Sequence, residues 1–222
     1  MSVKALSNSQ RAIQELRARI FSGELAAGTD HLESELADLL EMSRTPVREA
    51  VLKLEGQGLL ELRPRKGVRI LPLSPDDMAE IYDVLTELES HAAERAATSD
   101  HDKEDLAALA RAIEDMEAAI DSTDLDAWAE ADDRFHAELV RLGGNSRIQG
   151  IAGMMSDQVR RARTSTLFMR PLPTKSNKDH RTVYQAIQDG DAETARDCHR
   201  QHRQHAKAIL VELLSKHRLR HL

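Results

Sequence analysis

After Gly58 the apolar residues change their spacing from one in every three or four positions to every second position, and this switch narrows the fold more than any other feature. Before it, "SQRAIQELRARIFSG" places Ile13, Leu16, Ile20 and Phe21 on one helical face and stops at Gly23. "ESELADLLEM" repeats the pattern with Leu36, Leu39 and Leu40. "TPVREAVLKLEGQG" gives Val47, Val51 and Leu54, with Pro46 in the first turn, where a missing N–H costs nothing. After the switch, "LLELR" and "GVRIL" alternate around "PRK" and predict two short strands joined by a turn. Three helices and a hairpin follow one another in the order of a winged helix-turn-helix, here over residues 8–72.

"LPLSPDD" then reads as a linker, centred on residues 73–76, whose two aspartates suit the positive end of a helix dipole. Beyond it no strand pattern occurs. Helical periodicity runs at 75–98, 102–121, 124–142, 146–168, 177–189 and 191–217, broken by "TSDHD", "DSTD", "GGN", "RPLPTKSN" and "DGD". The chain is rich in alanine and only 3% aromatic, which fits helix-on-helix packing. The expected fold is therefore mainly α: a winged helix-turn-helix with a two-stranded wing, then an all-α antiparallel bundle over 77–217.

Charge divides along the same boundary. The formal net charge is −7, yet residues 43–69 hold 7 Lys/Arg against 3 Asp/Glu, while residues 73–139 hold 4 against 21. The front of the chain suits a polyanion and the rear does not. A single cysteine, Cys198, excludes an internal disulfide framework and fits a reducing compartment. No stretch approaches the ~18 apolar residues of a membrane span, and the N-terminus lacks a signal-peptide core, so a cytoplasmic protein with no membrane partner is expected.

The second helix of a helix-turn-helix enters the major groove and meets bases with its first residues. That task needs short polar groups for phosphates, forked donors for guanine and an apolar rear. Ser43, Arg44, Thr45 and Arg48 form such a front; Val47, Ala50, Val51 and Leu54 form the rear. Arg65, Lys66 and Arg69 on the hairpin would add a second cationic contact. On these residues, and on Gly28, "ELA" at 35–37, "GLL" before the wing and Gly67, residues 10–72 resemble the GntR family of bacterial transcription regulators. The resemblance implies operator DNA contacts by Ser43, Arg44, Thr45, Arg48 and Gly67. Ser34 stands where some members carry an arginine.

In "EADDRFHAEL", Asp132 and His136 lie four residues apart on one helical face. His180 stands near a later helix start, and His199, His202 and His205 follow on the last helix. One carboxylate with three imidazoles suits a borderline divalent ion. D-x-x-F-H, then "GN", then "H…A…GD…A…H" make residues 75–217 similar to the FCD domain of FadR-like regulators. This implies that Asp132, His136, His180 and His202 hold a divalent metal, zinc or nickel. It also implies a small-molecule effector, a carboxylate, bound beside it. Where many such domains carry an arginine, this chain has Leu85; Arg163 is the candidate substitute. Asn145 reads as a helix N-cap, Trp128 and Phe135 as core, and His91, His101, His217 and His221 as solvent or helix-end residues.

Three functions follow as expectations. The first is a homodimeric regulator, a repressor of a metabolic operon at the bacterial nucleoid, whose operator affinity responds to the effector; its acidic rear would keep DNA on the reading face. The second is a dedicated metal sensor. The third is a metal-dependent hydrolase, for which Glu130 and Glu138 are the acids the local sequence offers near His136.

Overall fold

The computed structural model describes residues 6–72 and 74–217, which divide into two compact units, one up to Ser74 and one over Pro75–His217. In the first unit, α1 (Asn8–Phe21) opens on a capping box in which Ser7 and Gln10 each accept from the other's backbone N–H. Then come β1 (Asp30–His31), α2 (Glu33–Leu39), α3 (Arg44–Glu55), β2 (Leu60–Arg63) and β3 (Gly67–Ile70). The apolar stripe of α3, Val47, Ala50, Val51 and Leu54, is wholly buried against Ala12, Leu16, Ile20, Leu36, Leu60, Val68 and Ile70. Each large member of that stripe contributes roughly 1.5–3 kcal/mol by leaving water.

The hairpin is not two-stranded alone. The sheet has the order β1-β3-β2, with Asp30 opposite Arg69 and His31 opposite Val68. A two-residue strand is too short to announce itself by alternation. Gly67 makes this third strand possible: it has φ +83°, and a Cβ there would stand 2.3 Å from the carbonyl oxygen of His31. Gly67→Ala should lower stability by at least ~1–3 kcal/mol, read from the midpoint of urea unfolding. An unchanged midpoint would mean that β1 does not pack on β3.

The second unit contains α4 (Pro75–Thr98), α5 (Ala107–Asp121), α6 (Leu125–Leu142), α7 (Ser146–Thr166), a 3-10 turn (Leu167–Met169), α8 (Thr174–Asp189) and α9 (Ala192–His217). Alanines 93, 96, 112, 131, 186 and 195 line its core, so helices approach closely around Met116, Phe135, Leu139 and Val183. The α5 pattern was expected from 102, but Asp102 accepts from the N–H groups of Glu104 and Asp105, both at 2.8 Å, which holds residues 102–105 in a turn. Asn145 caps α7 by accepting from Arg147 and Ile148. Trp128 and Phe135 are buried. His221 lies outside the described residues, as does the side chain of His217. No helix among the described residues is long and apolar enough to cross a membrane.

Candidate DNA-reading face and metal centre

Burying the rear of α3 leaves its front in solvent: Ser43, Arg44, Thr45 and Arg48 are all exposed. Ser43 precedes the first turn in extended backbone and makes no side-chain cap, so its hydroxyl is not committed to the helix. Arg48 Nη1 donates to Glu33 at 3.0 and 3.2 Å, an exposed pair that a stronger acceptor can exchange at little cost. Glu49 accepts from the Ser9 hydroxyl and ties α3 to α1. On the wing, Arg65 and Lys66 are exposed, with Arg65 at φ +64° in the turn. Arg69 and Arg63 are instead paired with Asp30, at 3.1 and 3.2 Å. Gly67 sits at the start of β3 rather than at the wing tip, where its lack of a Cβ already has a packing reason.

In the second unit, three helices bring Asp132, His136, His180 and His202 together, all buried, with their donor atoms within 4.8 Å of one another. Asp132 Oδ1 lies 3.7 Å from His136 Nε2 and 3.6 Å from His180 Nε2, and the Nε2 atoms of His180 and His202 are 3.2 Å apart. His136 Nε2 is buried without any hydrogen-bond partner in the described structure. A buried nitrogen left unmatched is costly unless something else takes its lone pair. Burial holds His180 well below the ordinary imidazole range and lowers His202, so both present lone pairs rather than charge. Burial alone would raise Asp132, but Arg163 and His136 prevail and keep it ionised. These four donors fit a divalent cation.

Their supports come from further away. Asp179 Oδ2 stands 3.7 Å from His202 Nδ1, and Glu89 Oε2 stands 3.3 Å from His136 Nδ1. A carboxylate behind a metal-facing imidazole sets its tautomer and orientation. For His136, burial and Arg203 push the pKa down, while Asp132 and Glu89 outweigh them and hold it above its usual value. Glu89 and Arg203 were not legible beforehand, and His199 was legible only as a rival to His202. Glu89 receives two hydrogen bonds of 2.6 Å from Arg203, and His199 Nε2 lies 3.4 Å from both His136 Nδ1 and Glu89. His199 therefore stands behind His136, and His205 is exposed, which leaves His202 facing the centre. The signal available for Glu89 was a carboxylate at an apolar-face position of α4, one helical turn after Leu85.

Two sequence expectations need correction. Arg163, the candidate effector arginine, is buried and donates to Asp132, to Asp133 and to the carbonyl of Ala129, so its charge is already neutralised. The acid nearest His136 from outside its own helix is Glu89; Glu130 is exposed and Glu138 pairs with Arg141. Leu85 is fully buried.

A family model described as bacterial regulatory proteins, gntR family, matches residues 8–70, and one described as the FCD domain matches residues 80–205, more than half of the chain. The chain belongs to the GntR family, with a C-terminal FCD domain. A transcriptional regulator of Agrobacterium vitis, from the TAR-I ttuE-ttuC' intergenic region, is 43% identical to this GntR regulator over 141 residues, 63% of this chain and 82% of that protein. The gluconate operon transcriptional repressor of Bacillus licheniformis is 34% identical over 142 residues, 64% of this chain and 58% of the repressor. The solved structure of E. coli McbR/YncC superposes with a TM-score of 0.76 at 21% identity, covering 94% of this chain and 99% of that one, a likeness of fold. The families and relatives are DNA-binding transcription regulators, not enzymes, which removes the hydrolase reading.

Proposed function

We propose that this GntR regulator is a homodimeric repressor of a metabolic operon whose operator affinity is set by a small organic acid bound beside a divalent metal, zinc or nickel, in the FCD domain. The observation that carries this reading is the convergence of Asp132 Oδ1 with imidazole nitrogens of His136, His180 and His202, in a cluster whose Asp132, His136 and His202 line a cavity. When bound, the ion would supply a Lewis-acid handle for a carboxylate. Asp132 would offer it Oδ1 while Oδ2 keeps Arg163, so Arg163 positions the carboxylate.

Operator contacts are assigned to Ser43, Arg44, Thr45 and Arg48 on α3 and to Arg65, Lys66 and the Gly67 backbone on the wing. Two copies joined through their FCD domains would offer α3 to half-sites about one DNA turn apart. An acid that binds one pose of the paired readers better than another shifts operator affinity by that difference. The test is a titration of the full chain on operator DNA with chelator, with added zinc, and with zinc plus small acids. A response to the acid supports the reading. A response to metal alone assigns the protein as a metal sensor instead.

Arg48→Ala should weaken specific binding by ~1–3 kcal/mol, the worth of a bidentate base contact. Fluorescence anisotropy at constant salt, on specific and scrambled duplexes, reads this directly. Equal losses on both duplexes would reduce Arg48 to a phosphate contact.

A further inference from the structure

The metal-ligand cluster borders a cavity of about 250 Å³ in the helical unit, which Tyr82 of α4, Trp128 of α6, Ile209 of α9 and the connector from Leu167 to Pro173 also line. Arg163, Arg170, Lys175 and Arg203 face it. Three of these charges are already matched: Arg163 by Asp132 and Asp133, Lys175 by Asp179 at 2.7 Å, and Arg203 by Glu89 at 2.5 Å. Arg170 is not. Its Nε and Nη2 both donate to the Thr166 hydroxyl, at 3.1 and 2.8 Å, and no carboxylate of the described residues pairs with it.

This placement has a local cause. Pro171 biases the residue before it away from the helical region, and Arg170 adopts φ −91°, ψ 153°, which ends the 3-10 turn. The buried Thr166 hydroxyl donates to the carbonyls of Ala162 and Arg163, so its lone pairs are left to receive Arg170. The guanidinium is thus held in place before any ligand arrives. Burial, with Arg163 nearby, lowers its pKa more than Tyr82 and Asp132 raise it, the cost of keeping a cation from water without a directly bonded carboxylate.

We propose that this cavity takes a small carboxylic acid as its carboxylate, with Arg170 rather than Arg163 as the arginine that receives it. The inference rests on the effector reading above and names the anchor of that site. With the Nε/Nη2 edge on Thr166, the end of the planar guanidinium still offers one Nη1 and one Nη2 hydrogen to a carboxylate in two parallel hydrogen bonds. Leu125, Trp128, Leu167 and Ile209 provide apolar wall for a carbon skeleton. The volume is below the ~300–1,000 Å³ of drug-sized sites, which limits the acid to a few carbons.

The test uses the full zinc-loaded chain, with calorimetric titration of acetate, propionate, succinate and citrate at fixed ionic strength. Acetamide, propionamide and succinamide serve as uncharged counterparts, and inorganic phosphate is a separate arm. At least one acid should bind the wild type while its amide does not. Arg170→Gln should weaken that acid roughly 10-fold or more, the loss of a charge-assisted hydrogen bond, and Arg170→Lys should fall between. Bound zinc, measured by elemental analysis, should be unchanged in both.

Equal affinity of the acid for wild type and Arg170→Gln overturns the assignment. If a chelator abolishes binding in that case, the effector reading stands with the metal as its handle. Failure of every acid to bind the wild type removes the reading and the inference together. Phosphate binding as tightly as the best acid would overturn the choice of carboxylate. Should Arg170→Gln lose zinc or structure, Arg170→Lys decides: it must still prefer acid to amide.

Discussion

His180→Ala is expected to weaken divalent-metal binding by more than ~100-fold, because changes to residues one step behind a metal ligand already cost 10–100-fold. His180 Nε2 lies 3.6 Å from Asp132 Oδ1 and 3.2 Å from His202 Nε2, so its removal breaks the donor set at its middle. Alanine would also open a void beside the Phe135 ring, whose centroid is 4.1 Å from that of His180. Helical circular dichroism should nonetheless persist, since Phe135, Leu139 and Val183 remain packed. Asp132→Asn is the companion: it keeps the side-chain shape, removes the charge facing the imidazoles and leaves Arg163 with Asp133. Competition against a chromophoric chelator measures both. A full equivalent of metal held at wild-type affinity in either variant would show the ligands to be misassigned.

The second large effect is expected at Arg203. Arg203→Met should destabilise the metal-free protein by about 3–5 kcal/mol, the range for stranding one partner of a buried ion pair. Glu89 and Arg203 are both almost completely buried, with two hydrogen bonds of 2.6 Å between them. Burial pushes the Glu89 carboxyl toward protonation, and Arg203 followed by His136 reverses that push, so the carboxylate depends on its partner. Urea unfolding with chelator present isolates this term from metal linkage. The double variant Glu89→Gln with Arg203→Met should recover part of the loss, because no buried charge is then left uncompensated. A loss below ~1 kcal/mol in the single variant would count against burial of the pair. The neighbouring Glu87–Arg200 pair is exposed, and breaking it should matter little.

Much of the reader unit could be deduced from short-range pattern. The spacing of Val47, Val51 and Leu54, the turn around "PRK" and the exposure of Arg44 and Arg48 all follow from which face of one element is apolar. β1 escaped because two residues carry no period. The candidate metal quartet was half legible: Asp132 and His136 share a helical face by spacing alone, whereas choosing His202 over His199 and His205 required the likeness to FCD domains. Arg163 was placed on the correct helix but read as the effector's arginine, because nothing near it in sequence reveals that Asp132 and Asp133 face it across 31 and 30 residues.

The sequence by itself determined the helices and the β2–β3 hairpin, the basic face of α3 and the acidic helical half, because these depend on residues within a few turns of one another. Tertiary structure alone decided that Glu89 reaches Arg203 across 114 residues, that His199 stands behind His136, and that Arg170 lines the cavity with its guanidinium on the Thr166 hydroxyl. The physical reason is that a helical period assigns each side chain to a face, while the rotation and offset of the packed helices decide which faces meet, and a shift of one turn would exchange these partners for others.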